Sequence, residues 1–418
     1  MFYGWVILII CFINVCGEGA IKNLFPVLLL PLISTFGWSR AATAGIFSMA
    51  GLISGLASPV MGVLLDRIGP RKFFSIGGFL LSIGLVAASQ IHQYWQLVLI
   101  YTCLLAVGEN MISSYTNMAV IGRWFQRKRG RAIGIADTGT AVGAAIFVPL
   151  AQWLILYVSW RHTFMMFAFI FLVMLVPSNW IFMRGRPEEK GQSPDGISYT
   201  SGGQTKSMAN VSSDSPVPQE ITFRQILLTP SLYLLTLARF FGTTASYIIA
   251  IHIVAFFIDA GYKAMVAASA LAFSQAVSLI GRVLAGAISD RIGREKMITI
   301  SYLLSIVGIL AVLVFGDGRT LWPIALFALF YGVSSGPFGI AVGAKAADLY
   351  PGAILGRVMG TINFGRGLGL ALGPFLGGYL YDLYQNYILA FTLAIGFILL
   401  SLACFWLAHF KSKALINA

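Results

Sequence analysis

Four cations and four acids fall inside otherwise apolar stretches of this chain: Lys22, Arg239, Arg282 and Arg366 against Glu18, Glu109, Asp137 and Asp259. A charge at the centre of a bilayer is costly, so each of these groups needs a partner, a water-filled cavity or a ligand. Arg282 stands eight residues before Asp290, and Arg366 nine residues after Arg357. At the rise of an α-helix both lie about 12–13 Å into their helices from the same side. Two guanidinium groups at matched depth suit a carboxylate, because each planar fork donates two parallel hydrogen bonds. Gln275 and Ser278 precede Arg282 at helical spacing and extend a polar stripe, and Asn363 shares the face of Arg366. For both arginines the alternative is a buried ion pair. Tyr331 and Phe364 are candidates to enclose the apolar part of a ligand, with core packing as the alternative.

The remaining embedded groups suit coupling or gating. Glu18 and Lys22 are one helical turn apart and are expected to pair. Counted from Gly4, Lys22 is expected in the outer part of the membrane, where a gate would sit. His252 and Asp259, seven residues apart on one face, have a spacing suited to proton relay, a satisfied interfacial histidine being the alternative. Glu109, Asn110, Ser113 and Asn117 follow a near-helical spacing and are expected to face a cavity, whereas Asp137 is expected to pair with the basic loop Arg123 to Arg131. The embedded charges cancel, but the second half of the chain is net positive and the first net negative. An anion should therefore lean on the second half. Cys11, Cys16, Cys103 and Cys404 show no C-x-x-C spacing, and His92, His162, His252 and His409 form no metal or triad pattern. Neither a cofactor, a metal nor an enzyme is indicated.

The elements that must position these groups follow from composition. Of 418 residues, 58% are hydrophobic and 10% charged, against about 25% charged in an ordinary soluble domain. The apolar residues fall in runs long enough to cross a hydrocarbon core, which predicts about twelve helices. They cover 4–30, 41–65, 73–91, 96–122, 132–157, 162–183, 227–259, 264–288, 297–316, 321–344, 358–383 and 386–409. Residues 184–224, rich in Ser, Gly and Pro, form a solvated linker between an N-terminal bundle (1–183) and a C-terminal bundle (225–418). The formal net charge of +13 is mostly topology: 20 of the 28 Lys and Arg lie in the linker, the tail and one set of alternating loops. The positive-inside rule then places both termini and the linker in the cytoplasm of a multi-pass cell-membrane protein, not on nucleic acid.

The chain also repeats. GVLLDRIGPRK (Gly62 to Lys72) returns as GAISDRIGREK (Gly286 to Lys296) at a shift of 224, and RAIGIADTGTAVG (Arg131 to Gly143) as RVMGTINFGRGLG (Arg357 to Gly369) at a shift of 226. Six spans per unit give parallel repeats about an axis normal to the membrane, with a site at their interface. In the loops Asp66, Arg67, Gly69 and Arg71, with Asp290, Arg291, Gly293 and Arg294, form a candidate conformational latch. Setting topology is the plainer role for the same residues.

The doubled G-x-x-x-D-R-x-G-x-x-K loop with six-plus-six spans and a central linker resembles the major facilitator superfamily over nearly the whole chain. Gly4–Trp5, the Lys of the first span and the Arg of the eighth resemble the monocarboxylate transporters. That family usually has an Asp four residues before the helix-8 Arg, where this chain has Ser278. A cation nine residues past the Arg of the loop before helix 11 is similar to the oxalate/formate antiporter branch, whose Lys is here Arg366. The resemblance implies alternating-access transport of a small mono- or dicarboxylate such as lactate, pyruvate or oxalate, by proton symport or by antiport. The expected partners are that organic anion, protons and the lipid bilayer, with the monomer as functional unit. An exporter of amphipathic drugs on the same fold is the alternative.

Overall fold

The computed structural model describes residues 2–126, 128–196, 229–316, 318–350 and 355–416. Within an apolar phase a backbone must satisfy its own polar groups, and the chain does so with helices. The first half has α1 (Gly4–Phe36), α2 (Arg40–Ile68), α3 (Pro70–Ser89), α4 (Tyr94–Trp124), α5 (Arg129–Tyr157) and α6 (Trp160–Phe182). The second has α7 (Pro230–Asp259), α8 (Ala264–Ile292), α9 (Arg294–Phe315), α10 in two pieces (Trp322–Ser335 and Pro337–Leu349), α11 (Leu355–Tyr384) and α12 (Ile388–Ile416). Ten of these are long and apolar enough to cross a bilayer. The two-piece α10 and the glycine-rich α11 complete the expected twelve.

One face of the molecule, called here the linker face, gathers the start of α1 and the ends of α2, α4 and α6. Tyr3 Oη donates to the Phe182 carbonyl at 2.8 Å, Trp124 Nε1 to that of Arg184 at 3.2 Å, and Asp66 pairs with Arg123 at 2.6 Å. The opposite face gathers the other ends, where Arg161 donates to the carbonyls of Ser89 and Ile91 and Trp160 to Thr35. The two repeated loops turn alike: Gly69 has φ 78° and ψ 152°, and Gly293 φ 91° and ψ 154°. An L side chain adopts that backbone region only with strain.

Small residues let helices meet closely within each half. Gly139 and Gly143 of α5 lie against backbone atoms of α1, and their repeat equivalents Gly365 and Gly369 of α11 lie against the carbonyls of Thr236 and Phe240 in α7. Gly373 continues the same ridge against the Thr244 carbonyl. The first half is further pinned by three buried amides. Asn14 Nδ2 reaches Asn117 Oδ1 and Asn179 Oδ1, both at 3.0 Å, and Asn179 Nδ2 donates back to Asn14 Oδ1 at 2.6 Å.

Two helices are interrupted. The ladder of α4 passes through a π-helical turn at Ile100–Leu105 and breaks at Ser113, whose ψ of 159° is extended. In α10 the interruption falls at Gly336, ahead of Pro337, which has no N–H to give. The shift of 224 that aligns the two DR loops carries Ser113 onto Pro337. The breaks thus fall at equivalent depths of the two repeats.

Candidate functional site

The halves meet chiefly through α2 against α11 and α5 against α8, antiparallel pairs that can be followed residue by residue. From the opposite face inward, Gly378 lies against the Arg40 carbonyl, Phe375 N donates to Ser48 Oγ at 3.1 Å, Gly51 sits under Leu370, and Gly55 faces Gly367. About two turns further toward the linker face the contact between the described residues ends. A Cβ added at Gly62 or at Gly360 would meet nothing within 4 Å. Along α5 and α8 the last tie among the described residues is Asp137–Arg282 at 2.5 Å, and Gly134, one turn beyond it, also faces open space. The crevice between the halves is therefore closed on the opposite face and open on the linker face, with Arg282 and Arg366 at the level where the helices part.

The closure is built from charge. Arg40, at the start of α2, makes a two-pronged pair with Asp259 at the end of α7, at 2.7 and 3.0 Å, and donates to Tyr387 Oη at 2.6 Å. Its guanidinium lies 3.6 Å over the Tyr381 ring. The backbone N–H groups of Arg40 and Ala41, unpaired donors of a helix N-terminus, go to the two oxygens of Asp382 at 2.9 and 2.8 Å. His252 is fully buried and bridges Tyr387 Oη at 3.1 Å and the Pro374 carbonyl at 2.8 Å. The carbonyl accepts, so Nε2 carries the proton and Nδ1 receives the tyrosine hydroxyl. His252 and Asp259 thus belong to one gate cluster, joined through Tyr387 and Arg40.

Deeper in the crevice lies a second cluster. Lys22 pairs with Glu18 and stands 3.6 Å from Glu109. α1 continues to Phe36, six residues past the expected end of its span, and Lys22 falls near the middle of that helix. Glu18 also reaches the α4 break: its Oε2 accepts the Ser114 backbone N–H at 2.7 Å, a donor left over by the restart of the helix and not capped by Ser113. Ser114 Oγ donates to Asp137 Oδ1 at 2.7 Å, and Asp137 Oδ2 accepts from Arg282. Asp137 thus faces the eighth helix and not the basic loop, because α5 packs directly on α8 at this level. The acid that the helix-8 position of Ser278 lacks reaches Arg282 from the other half. Arg366 is within electrostatic reach of Lys22, Glu109 and Arg239, and no acidic side chain pairs with it among the described residues.

The other candidates are distributed unevenly. Gln275 Nε2 donates across the halves to Asn23 Oδ1 at 3.1 Å, and Asn363 and Phe364 are exposed. Ser278 is buried and spends its hydroxyl on the Gln275 carbonyl. Asn117, expected in the cavity, is buried in the amide cluster of the first half. Tyr331 stacks on Phe327 and donates to the Ser246 carbonyl inside the second half, which matches its packing alternative. In the loops Asp66 pairs with Arg123, Arg71 contacts Trp180, and Arg294 pairs with Asp348, its Nη2–Oδ1 contact being 3.0 Å. These pairs lie within a half, and the Asp290 side chain lies outside the described residues. Sequence reasoning missed Ser114, Arg40, Asp382 and Tyr387. A readable signal existed for the first, since the Gly336–Pro337 break, carried back by the repeat shift, falls on Ser113.

Gly336 has a role that the break explains. Its α-carbon lies against the Arg282 shaft and the Ser278 carbonyl, so no Cβ fits unless that shaft moves. Gly336→Ala is expected to leave a folded protein in which Arg282 is displaced. Affinity for an anion bound by Arg282 should fall about tenfold, the equivalent of one hydrogen bond to a charged group. Ligand titration of the purified variant, with its melting temperature as a control, checks this.

Comparison with known proteins bears on the whole architecture. The sequence profile of the Major Facilitator Superfamily matches residues 7–374, with a second match over 279–417. Monocarboxylate transporter 13 of Bos taurus is 24% identical over 398 residues, covering 95% of this chain and 87% of its own length. The MFS-type transporter pynF of Aspergillus niger is 26% identical over 349 residues, covering 82% and 73%. Among solved structures, a bacterial homolog of the human lysosomal transporter Spinster, in an inward-facing and unoccupied conformation, aligns with a TM-score of 0.74 at 16% identity over 99% of this chain and 98% of that one. The nucleoside transporter NupG, solved as a point mutant, aligns with a TM-score of 0.75 at 15% identity over 97% and 99%.

Proposed function

The chain belongs to the Major Facilitator Superfamily, and from that premise we propose that it moves small organic anions, mono- or dicarboxylates of the size of lactate, pyruvate or oxalate, by alternating access. It is a multi-pass membrane transporter of a small molecule and not an enzyme. The observation that carries the carboxylate reading is Arg366. It is a cation at the apex of the crevice, has no acidic partner among the described residues, and lies in electrostatic reach of further cations at Lys22 and Arg239. A carboxylate there would gain a charge-assisted, two-pronged hydrogen bond without displacing an existing one. The monocarboxylate transporters among the relatives support the same class.

In this reading an anion enters from the linker face and meets Arg366, with Asn363 beside it. Its second oxygen, or second carboxylate, competes with Asp137 for Arg282. Releasing Asp137 loosens the α5–α8 tie, and the opposite-face cluster of Arg40, Asp259 and Asp382 must then part for the anion to leave. Lys22 serves two carboxylates, Glu18 and Glu109, and Arg366 offsets the excess negative charge. An anion on Arg366 takes up that offset, and a proton on one of the carboxylates restores neutrality. This supports proton coupling or exchange for a neutral cycle. The basic loops make the linker face cytoplasmic in a cell membrane. Uptake of a carboxylate panel into proteoliposomes, with and without an imposed pH gradient, tests the proposal. Accumulation that follows the gradient supports symport, and exchange that requires internal substrate supports antiport. Transport of cationic amphiphiles that carboxylates do not inhibit would instead favour a drug exporter.

A further inference from the structure

We propose that Ser114, at the break in α4, is a positioning residue that couples the Glu18–Lys22–Glu109 cluster of the first half to Arg282 of the second. The inference rests on the reading of Arg282 as an anion site, and it assigns the connection that lets the two sites sense each other.

Ser114 touches both sites through different atoms. Its backbone N–H goes to Glu18 Oε2 at 2.7 Å, and its hydroxyl goes to Asp137 Oδ1, also at 2.7 Å. The remaining oxygen of Asp137 holds Arg282, and the remaining oxygen of Glu18 holds Lys22. An unbroken helix could not supply the first of these bonds, because the Ser114 N–H would be committed to the carbonyl four residues back. The break is therefore what exposes this donor to Glu18. Both bonds require a carboxylate oxygen that accepts. A proton placed on Glu18 Oε2 removes the acceptor and strands the N–H at the start of the linker-side piece of α4. That piece can then shift, carrying the Ser114 hydroxyl from Asp137 and changing how Asp137 holds Arg282. By linkage, an anion that draws Arg282 from Asp137 changes the cost of protonating the first cluster by the same free energy.

The charged and titratable groups around this path are few. On α1 they are Glu18 and Lys22; on α4, Glu109, Tyr101 and Tyr115; on α5, Asp137; on α7, Tyr247 and Arg239; on α8, Arg282; on α11, Arg366. The transmembrane stretches of α2, α3 and α6 carry ionisable residues only at their ends.

The test reads conformation without substrate, so that it stands apart from the identity of the cargo. Nitroxides are placed on the opposite face, one on each half, through Ser34→Cys and Gln385→Cys with Cys103 and Cys404 replaced by Ser. Distances are followed from pH 5 to 9 in nanodiscs. The wild-type distance distribution is expected to change with pH. In Ser114→Ala the midpoint should move by about one pH unit, the size of a single hydrogen bond to a carboxylate, or the change should be lost. Ser114→Thr, which keeps the hydroxyl, should restore the wild-type midpoint, and melting temperatures report on folding. A Ser114→Ala protein that titrates like the wild type, a threonine variant that behaves like alanine, or a wild type indifferent to pH overturns the coupling. A wild type that moves no carboxylate, yet shows the titration lost in Ser114→Ala and regained in Ser114→Thr, leaves the coupling standing and removes the substrate reading.

Discussion

Replacing Arg366 by alanine is expected to weaken binding of a small carboxylate by about a hundredfold to a thousandfold, with the melting temperature nearly unchanged. The two halves of that expectation have one cause. A guanidinium–carboxylate pair in a crevice shielded from bulk water is worth about 3–4 kcal/mol, and each 1.4 kcal/mol is a factor of ten. The fold depends little on Arg366, because it makes no ion pair among the described residues for the substitution to break, and the negative charge it leaves uncompensated at Glu18 and Glu109 is neutralised by uptake of one proton. Arg282→Ala should behave differently. That change strands Asp137 in the crevice and severs the α5–α8 tie, so loss of binding comes with loss of stability. Arg366→Lys should recover part of the affinity, since the charge returns without the planar fork. Titration of the purified variants, read beside their thermal unfolding, separates these cases.

Replacing Arg40 by alanine is expected to shift the resting population toward conformers open on the opposite face by about thirtyfold. Three interactions across the halves end with that side chain: the two-pronged pair with Asp259, the hydrogen bond to Tyr387 and the stacking on Tyr381. Removing one partner of a buried pair costs about 3–5 kcal/mol. Asp259 keeps some access to water, with its side chain 32% exposed, so about 2 kcal/mol is the better figure, which corresponds to the thirtyfold shift. The backbone bonds to Asp382 survive in Arg40→Ala, and the variant should therefore still close. Asp382→Asn in addition withdraws the anion from the α2 N-terminus and should shift the population further, by about 1 kcal/mol. Distances between spin labels at Ser34→Cys and Gln385→Cys measure both steps.

Much of this architecture could be read from the residues. The apolar runs placed the helices, the doubled DR loop revealed the repeat, and the embedded charges marked the crevice, because a bilayer tolerates such groups only where something answers them. Partners were harder to read, because they depend on which helix of one half faces which of the other. Nothing local to Asp137 distinguishes the loop cations from Arg282, 145 residues away. Asn117 keeps helical spacing with Glu109 and Ser113, but the α4 break rotates the helix beyond Ser113, and the side chain turns into the amide cluster. The break itself has no proline or glycine, and Glu18 stabilises it from another helix. α1 also extends beyond the apolar run that defined its span, so that Lys22 is near the middle of the helix. Arg40 and Asp382, at helix ends where charges are ordinary, gave no sign that they meet.

The central claim is that the apex of the crevice selects a carboxylate. It is tested most directly by uptake of labelled lactate and of labelled oxalate into proteoliposomes, each competed by unlabelled lactate, oxalate and their neutral amides, lactamide and oxamide. The expected result is uptake of at least one acid, inhibited by carboxylates but not by the amides of the same shape, and lost in Arg366→Ala. Amides that compete as well as the acids, or an Arg366→Ala protein that takes up the acid at the wild-type rate, would contradict it.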